Sequence, residues 1–325
     1  MGGEFLSFSS NVKQELSLRF GNARHCYIAE LAAIINMCGD ITIFHHKICI
    51  KIQTENAFIA RKYFTLLQKT FNIRSEVSIR TGFQQKKNAT YTVMLRDTSD
   101  NEKVLMATGI LLHYDGRSVM DNKIYPVTVN SICCRRAYIR GAFLAAGSIS
   151  DPEKNYHLEF VHSSLEYCNQ LKEIINSFGL DAKIVERKEH FVIYIKEGEQ
   201  IADLLNIMEA HVALLQFENV RVLKDMRNNV NRKVNCETAN LNKTVNASVK
   251  QLEDIMYIQK KVGLHQLSPP LEEMARIRLQ YPEASLKELG TLIVPNVGKS
   301  GVNHRLRKIS SIAETIREGK GDCDD

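Results

Sequence analysis

The stretch Arg136–Ser150, RAYIRGAFLAAGSIS, decides the fold through its small residues. Gly141 and Ala145 stand four apart, as do Ala142 and Ala146, so they share one helix face and leave a shallow groove for another backbone. Gly147 supplies a helix stop, because glycine takes a left-handed turn at low cost. The pattern recurs 108 residues upstream in Ala29–Ile41, AELAAIINMCGDI, with Ala29, Ala32, Ala33 and a stop at Gly39. Two small-faced helices, each followed by a strand-like run, predict a duplicated unit that packs on itself.

Composition sets the bounds. A chain of 325 residues that is 44% hydrophobic and 25% charged can bury a sizeable core and divides into two or three soluble domains. No apolar run approaches the roughly 18 residues of a membrane span, and the start lacks a signal-peptide pattern. The cysteines (Cys26, Cys38, Cys49, Cys133, Cys134, Cys168, Cys236 and Cys323) form no C-x-x-C and no regular spacing with histidine. That spacing predicts buried, reduced thiols in a cytoplasmic protein, with neither zinc nor disulfides, and no cofactor is called for. Charge is uneven: residues 221–320 hold 18 Lys and Arg against 10 Asp and Glu, whereas 1–220 hold 25 against 24. A basic C-terminal third on a near-neutral body points to nucleic acid contacted from that end.

Periodicity then orders the chain. A short helix over Ser7–Arg19 precedes the first copy: helix 24–38, strand Ile43–Gln53, helix 56–71, a hairpin of 76–81 and 91–96, and helix 102–112. The second copy repeats it as helix 135–146, strand 157–162, helix 165–178, hairpin 182–186 and 191–196, and helix 200–209. This is an α+β pattern with antiparallel strands. A long helix follows from Val212 to Lys233. Its far end, RNNVNRKVNCETANLNKT, is dense in Asn and Arg, and asparagine favours local backbone bonding over helix, so fraying or a linker is expected there. Four short helices come next: 247–262, one opening at Ser268-Pro269-Pro270, one capped by Ser285 and Glu288, and one over 300–316. The expected divisions are 1–125, 126–211, 212–246 and 247–325, the last with an acidic tail.

The final two helices and their short turn fit a helix-turn-helix. Val302, Leu306, Ile309, Ala313 and Ile316 form one apolar stripe, with Ser300, His304, Arg307, Lys308 and Ser311 opposite and Asn303 and Arg305 on the flanks. Early residues of such a helix reach base edges, so Ser300, Asn303 and His304 are candidates for base readout. Arg305, Arg307 and Lys308 suit guanine or phosphates, and Lys299 sits at the helix entrance. The bland alternative is a solvated amphipathic helix. Gly298-Lys299-Ser300 is no P-loop, since the required glycine is Ile293. Arg227, Asn228, Asn231, Arg232 and Lys233 are further phosphate candidates, against the equal alternative of a polar interdomain helix.

The duplicated helices resemble the double LAGLIDADG motif of homing endonucleases. Leu31–Gly39 (LAAIINMCG) matches it closely and Ile139–Gly147 (IRGAFLAAG) more loosely. In those nucleases the helices pack at the centre and an acid before each final glycine holds the catalytic metal; the positions here are Cys38 and Ala146. Alanine offers no ligand and a thiol is too soft for magnesium, so the metal positions are degenerate. With the C-terminal helix-turn-helix, the whole is similar to WhiA-type regulators. CCRRAYIRGAFLAAGSISDPEKNYHLEF, VRVLKDMRNNVNRKVNCETANLNKT and GKSGVNHRLRKI carry that likeness, which spans roughly 7–318.

That resemblance implies two LAGLIDADG-like units packed through a central helix pair, followed by an all-α helix-turn-helix domain. It also implies a non-catalytic, nucleoid-associated transcription factor of Gram-positive bacteria, acting in sporulation or in cell division and chromosome segregation. Double-stranded DNA is then the partner, with a protein of the transcription machinery beside it and no membrane. Two other readings stay open: an active endonuclease using a displaced acid such as Asp40, and a scaffold for a protein or small ligand. A DNA-binding saddle has weak support, with Lys47, Lys51, Lys86, Lys87 and Arg96 in one half set against Glu159, Glu186 and Glu189 in the other.

Overall fold

Two copies of one unit are built around two helices that the small residues let touch. In the computed structural model, which describes residues 7–44, 47–81, 89–114 and 117–319, helix α1 (Phe8–Leu18) precedes the first copy. That copy runs α2 (Arg24–Cys38), β1 (Gly39–Phe44), β2 (Lys47–Thr54), α3 (Ala57–Phe71), β3 (Glu76–Arg80), β4 (Thr90–Met94) and α4 (Thr98–Thr108). A hairpin of β5 (Leu111–Tyr114) and β6 (Arg117–Met120) closes it. The second runs α5 (Ile132–Ala146), β7 (Gly147–Ile149), β8 (Leu158–His162), α6 (Leu165–Asn176), β9 (Lys183–Arg187), β10 (His190–Ile195) and α7 (Gly198–Met208). The sheets have matching antiparallel orders, β1-β2-β4-β3 and β7-β8-β10-β9, so the duplication extends to strand topology. Lys86, Lys87 and Cys323 lie outside the described residues.

The seam between α2 and α5 rests on a missing side chain. A Cβ on Gly141 would stand 2.5 Å from the Glu30 carbonyl oxygen and 3.0 Å from the Ala33 Cβ, so only glycine admits this approach. Ile50, Ile52, Leu66, Val93 and Leu105 fill the core of the first half, and Phe143, Phe160, Leu171, Ile193 and Leu204 that of the second.

Charge is buried at the same seam. Glu30 is fully buried and takes two cations: Lys62 Nζ lies 3.1 Å from Oε1, while Arg140 donates from Nε and Nη2 at 3.2 and 3.3 Å to its two oxygens. Arg140 also donates from Nη1 to Glu209 at 3.1 Å, and Lys62 to the Arg19 carbonyl. Glu30 thus ties α2 to both α3 and α5, the fork geometry of the guanidinium fixing the latter.

Several expectations are corrected. Gly39 and Gly147 stop their helices in extended rather than left-handed conformation, each leading directly into a strand. A Cβ at Gly147 would stand 2.4 Å from the Phe143 ring, so its value there is steric. The strand read as Ile43–Gln53 is a hairpin of β1 and β2, pairing Ile41 with Ile50. The helix placed at 102–112 starts earlier, where the Asp97 side chain caps Ser99 N–H, and ends at left-handed Gly109. Its expected end, Leu111–Leu112, belongs to β5 instead. The stretch expected to fray is helical: α8 runs unbroken from His211 to Lys261. No glycine or proline interrupts its 51 residues, and asparagine lowers helix propensity without removing an N–H.

The chain divides into two compact units, 1–224 and 225–325. In the second, the end of α8 packs with α9 (Pro269–Gln280), α10 (Leu286–Thr291) and α11 (Lys299–Arg317) around Ile255, Ile258, Met274, Leu289, Val302, Leu306 and Ile309. Ser285 and Glu288 form the capping box expected of them, with Glu288 N–H on Ser285 Oγ at 3.3 Å and Ser285 N–H on Glu288 Oε2 at 2.8 Å.

Candidate nucleic-acid interface

Helix α11 owes its orientation to its stripe. Val302, Leu306, Ile309 and Ala313 are buried, which turns Lys299, Ser300, His304, Arg307 and Lys308 outward. Asn303 is half-buried on the flank. Arg305 is half-buried as well, and its Nη1 is fully covered without a hydrogen-bond partner, which sets it apart from the outward-facing cations. The turn before α11 folds back on α10, with Val297 N–H donating to the Gly290 carbonyl at 3.0 Å. A Cβ on Gly290 would stand 2.1 Å from the Val297 carbonyl oxygen, so glycine is what lets the two helices lie across each other.

Along α8, Arg227, Asn228, Asn231, Arg232 and Lys233 are all exposed. Asn228, Asn231 and Arg232 stand three and four residues apart and share one helix face.

The centre of the repeat unit offers no hard ligand at the two motif positions. The Cys38 thiol donates to the Ile34 carbonyl at 3.2 Å, and burial pushes it up to about 12, against the pull of the Lys13 ammonium. Burial in turn draws Lys13 below its ordinary value. Ala146 closes the other position. Asp40 is exposed on β1, and the Asp151 carboxylate accepts from Glu153 N–H at 3.0 Å in its own turn. Around this centre runs a hydrogen-bonded latch. Asn36 Nδ2 donates to the Tyr138 hydroxyl at 3.1 Å, and that hydroxyl lies 3.0 Å from the Tyr167 hydroxyl. His162 Nδ1 accepts from Ser164 N–H, so its Nε2–H donates to the Asn36 carbonyl at 3.2 Å.

Some charges of the two sheets pair locally. Glu159 holds His157 at 2.9 Å, Ser148 at 3.2 Å and Arg187 at 3.5 Å, and Arg96 pairs with Glu76. Lys47 is exposed and Lys51 half-buried, while Glu186 and Glu189 stand exposed on the other sheet.

The cysteines depart from the expectation of uniform burial: Cys26, Cys134 and Cys168 are buried, Cys38 and Cys49 half-buried, and Cys133 and Cys236 exposed. The fold also gathers His25, Cys26, Cys133 and Cys134, a cluster invisible to motif spacing because it consists of two adjacent pairs 108 residues apart. The repeat offset itself was the available signal, since 25 and 26 fall on 133 and 134.

Two LAGLIDADG-like units sharing a central helix pair, with a helix-turn-helix domain at the C-terminal end, define the class. Comparison with known proteins agrees part by part: residues 24–111 match the WhiA N-terminal LAGLIDADG-like domain, 135–227 the WhiA LAGLIDADG-like domain and 230–313 the WhiA C-terminal helix-turn-helix domain. The chain belongs to the WhiA family. It is 51% identical over 317 residues to a probable cell division protein WhiA of Lachnoclostridium phytofermentans, covering 96% of this chain and all of that one. It is 50% identical over 314 residues to a relative of the same name from Clostridium botulinum, covering 97% of this chain and 100% of that one. Among solved structures, full-length DUF199/WhiA from Thermatoga maritima aligns with a TM-score of 0.59 at 25% identity, covering 95% of this chain and 98% of the other. No helix among the described residues is long and apolar enough to cross a membrane.

Proposed function

We propose that this protein is a sequence-specific, non-catalytic DNA-binding regulator that reads double-stranded DNA through α11. The observation that carries this reading is the outward face of that helix, where Lys299, His304, Arg307 and Lys308 stand exposed opposite a fully buried stripe. Lys299, Arg307 and Lys308 supply the charge that phosphates require, and Ser300, Asn303 and His304 the hydrogen-bonding groups that read base edges. Arg227, Asn228, Asn231, Arg232 and Lys233 on α8 add a second cationic surface for the backbone. The relatives' printed name supports cell division as the process regulated; roles in sporulation or chromosome segregation and a partner in the transcription machinery belong to the same proposal and rest on the family resemblance alone.

Binding of the full chain to labelled duplexes at several salt concentrations tests it. Lys308→Ala and Arg307→Ala weaken every sequence alike and lower the salt slope by about one each, whereas Asn303→Ala relaxes preference at one base position. Unchanged affinity in all three variants would remove α11 from the interface. The loss of acids at Cys38 and Ala146 supports the non-catalytic half of the reading. Supercoiled plasmid incubated with the full chain and magnesium or manganese is accordingly expected to stay supercoiled, and metal-dependent nicking would revive the endonuclease reading.

A further inference from the structure

We infer that His25, Cys26, Cys133 and Cys134 form a structural site for a zinc-class divalent cation that pins the two halves of the repeat unit together. Their four ligand atoms all lie within 4.8 Å of one another. His25 Nδ1 stands 3.1 Å from Cys134 Sγ and 3.5 Å from Cys26 Sγ. Tetrahedral zinc, with bonds of about 2.3 Å to sulfur and about 2.0 Å to nitrogen, holds its ligand atoms about 3.5–3.8 Å apart. Shifts of about an ångström or less complete that geometry.

Symmetry gives the cluster a second argument. Cys26 and Cys134 are equivalent positions of the duplication, as are His25 and Cys133, so the site lies where the two copies meet at the starts of α2 and α5. Both helices begin without a side-chain cap, at Ala23 and Ser131, which leaves first-turn N–H groups and the positive ends of two helix dipoles beside the sulfurs. A cavity of about 360 Å³ lined by Arg19, Gly21, His25, Cys26, Cys133 and Arg136 opens onto the cluster and gives an ion a route in. Arg140 and Glu209 line the same cavity.

The donor set chooses the ion. Three thiolates and an imidazole suit a borderline-soft cation and exclude magnesium or calcium, which take oxygen. On binding, the three thiols release their protons to solvent and neutral His25 gives its Nδ1 lone pair. Three thiolates around a divalent ion leave a net single negative charge, at a cavity that Arg136 also lines while its guanidinium donates to the Asn206 and Ile207 carbonyls. Four protein ligands leave no open position, so the site holds the fold together and takes no part in a reaction. A disulfide would use only two of the sulfurs.

The test uses the full chain, reduced, stripped with a chelator and titrated anaerobically with cobalt(II). The expected result is thiolate-to-cobalt charge transfer with tetrahedral ligand-field bands that saturate at one equivalent and vanish on adding zinc. Zinc should also protect Cys26, Cys133 and Cys134 from alkylation while exposed Cys236 stays reactive. Cys133→Ser and His25→Ala alter exposed side chains and spare the core; each should weaken cobalt binding about tenfold or more, since even outer partners of a metal carry that much. Cys236→Ser should change nothing. A cobalt spectrum that stays octahedral, binding unaltered in both cluster variants, or rapid oxidation to a disulfide that zinc does not prevent would each overturn the assignment.

Discussion

Gly141 of α5 lies directly against the Glu30 carbonyl of α2, at a distance where any added methyl would stand 2.5 Å from that oxygen. Carbonyl and helix axis are both fixed by their own ladders, so neither can yield locally. Gly141→Ala, favourable by propensity in an exposed helix, should here destabilise the repeat unit by about 1–3 kcal/mol as an overpacked contact. Chemical denaturation followed by circular dichroism measures it; a stabilised variant would show that the seam opens more easily than its geometry states.

Glu30 balances two buried cations, and removing its charge leaves Lys62 without its anionic partner and Arg140 with Glu209 alone. Glu30→Gln should cost about 3–5 kcal/mol, because Lys62 and Arg140 are left buried without their shared partner. The triple variant Glu30→Leu, Lys62→Met, Arg140→Met should recover much of that loss, since apolar replacements avoid the desolvation of all three groups. A triple variant no more stable than Glu30→Gln would mean that the ionic cluster itself holds the seam.

The capping box at α10 has a pH signature. Hydrogen bonds from the Ser285 backbone and side chain hold the Glu288 carboxyl below its ordinary value of 4.5. A depressed folded pKa means the box contributes fully above that value and is lost as pH falls through the folded pKa. Ser285→Ala should cost about 1 kcal/mol at neutral pH and should bring the Glu288 titration, followed by carboxyl carbon NMR, back towards 4.5.

Gly290 sits where α10 and the following turn touch. Gly290→Ala would drive a methyl into the Val297 carbonyl and displace the start of α11. DNA affinity should fall at all sequences, while the repeat unit keeps its own unfolding transition. Calorimetry beside binding assays separates the two effects, and full affinity in this variant would mean the turn repacks without moving α11.

Much of this was legible in the sequence because the signals were local. The stripe Val302, Leu306, Ile309, Ala313 and the cap at Ser285 are set within a turn or two of chain. The small face of α5 announced a close neighbour, and the repeat offset named it. What escaped was non-local or unsignalled. β1 turns back without a glycine, proline or asparagine to mark the reversal, and α8 continues through residues that disfavour a helix but do not forbid it. The burial of Glu30 has no local signal and arises only where Lys62 and Arg140 close over it. The His25 and Cys133 pairs come together only through the duplication, which no motif spacing encodes.

The seam carries a further consequence, in the order of events by which the chain finds its shape. Its defining contacts join positions such as Glu30 and Arg140, 110 residues apart, so α2 cannot settle until α5 has been made and brought back to it. The C-terminal unit closes over shorter spans, such as the 63 residues between Asp254 and Arg317. Closing a longer loop costs more entropy before any contact rewards it, and folding slows as contacts become less local. The unit synthesised first is therefore the one that matures last, and refolding should show a fast phase from the helical C-terminal unit ahead of a slow one that reports the union of the two repeats.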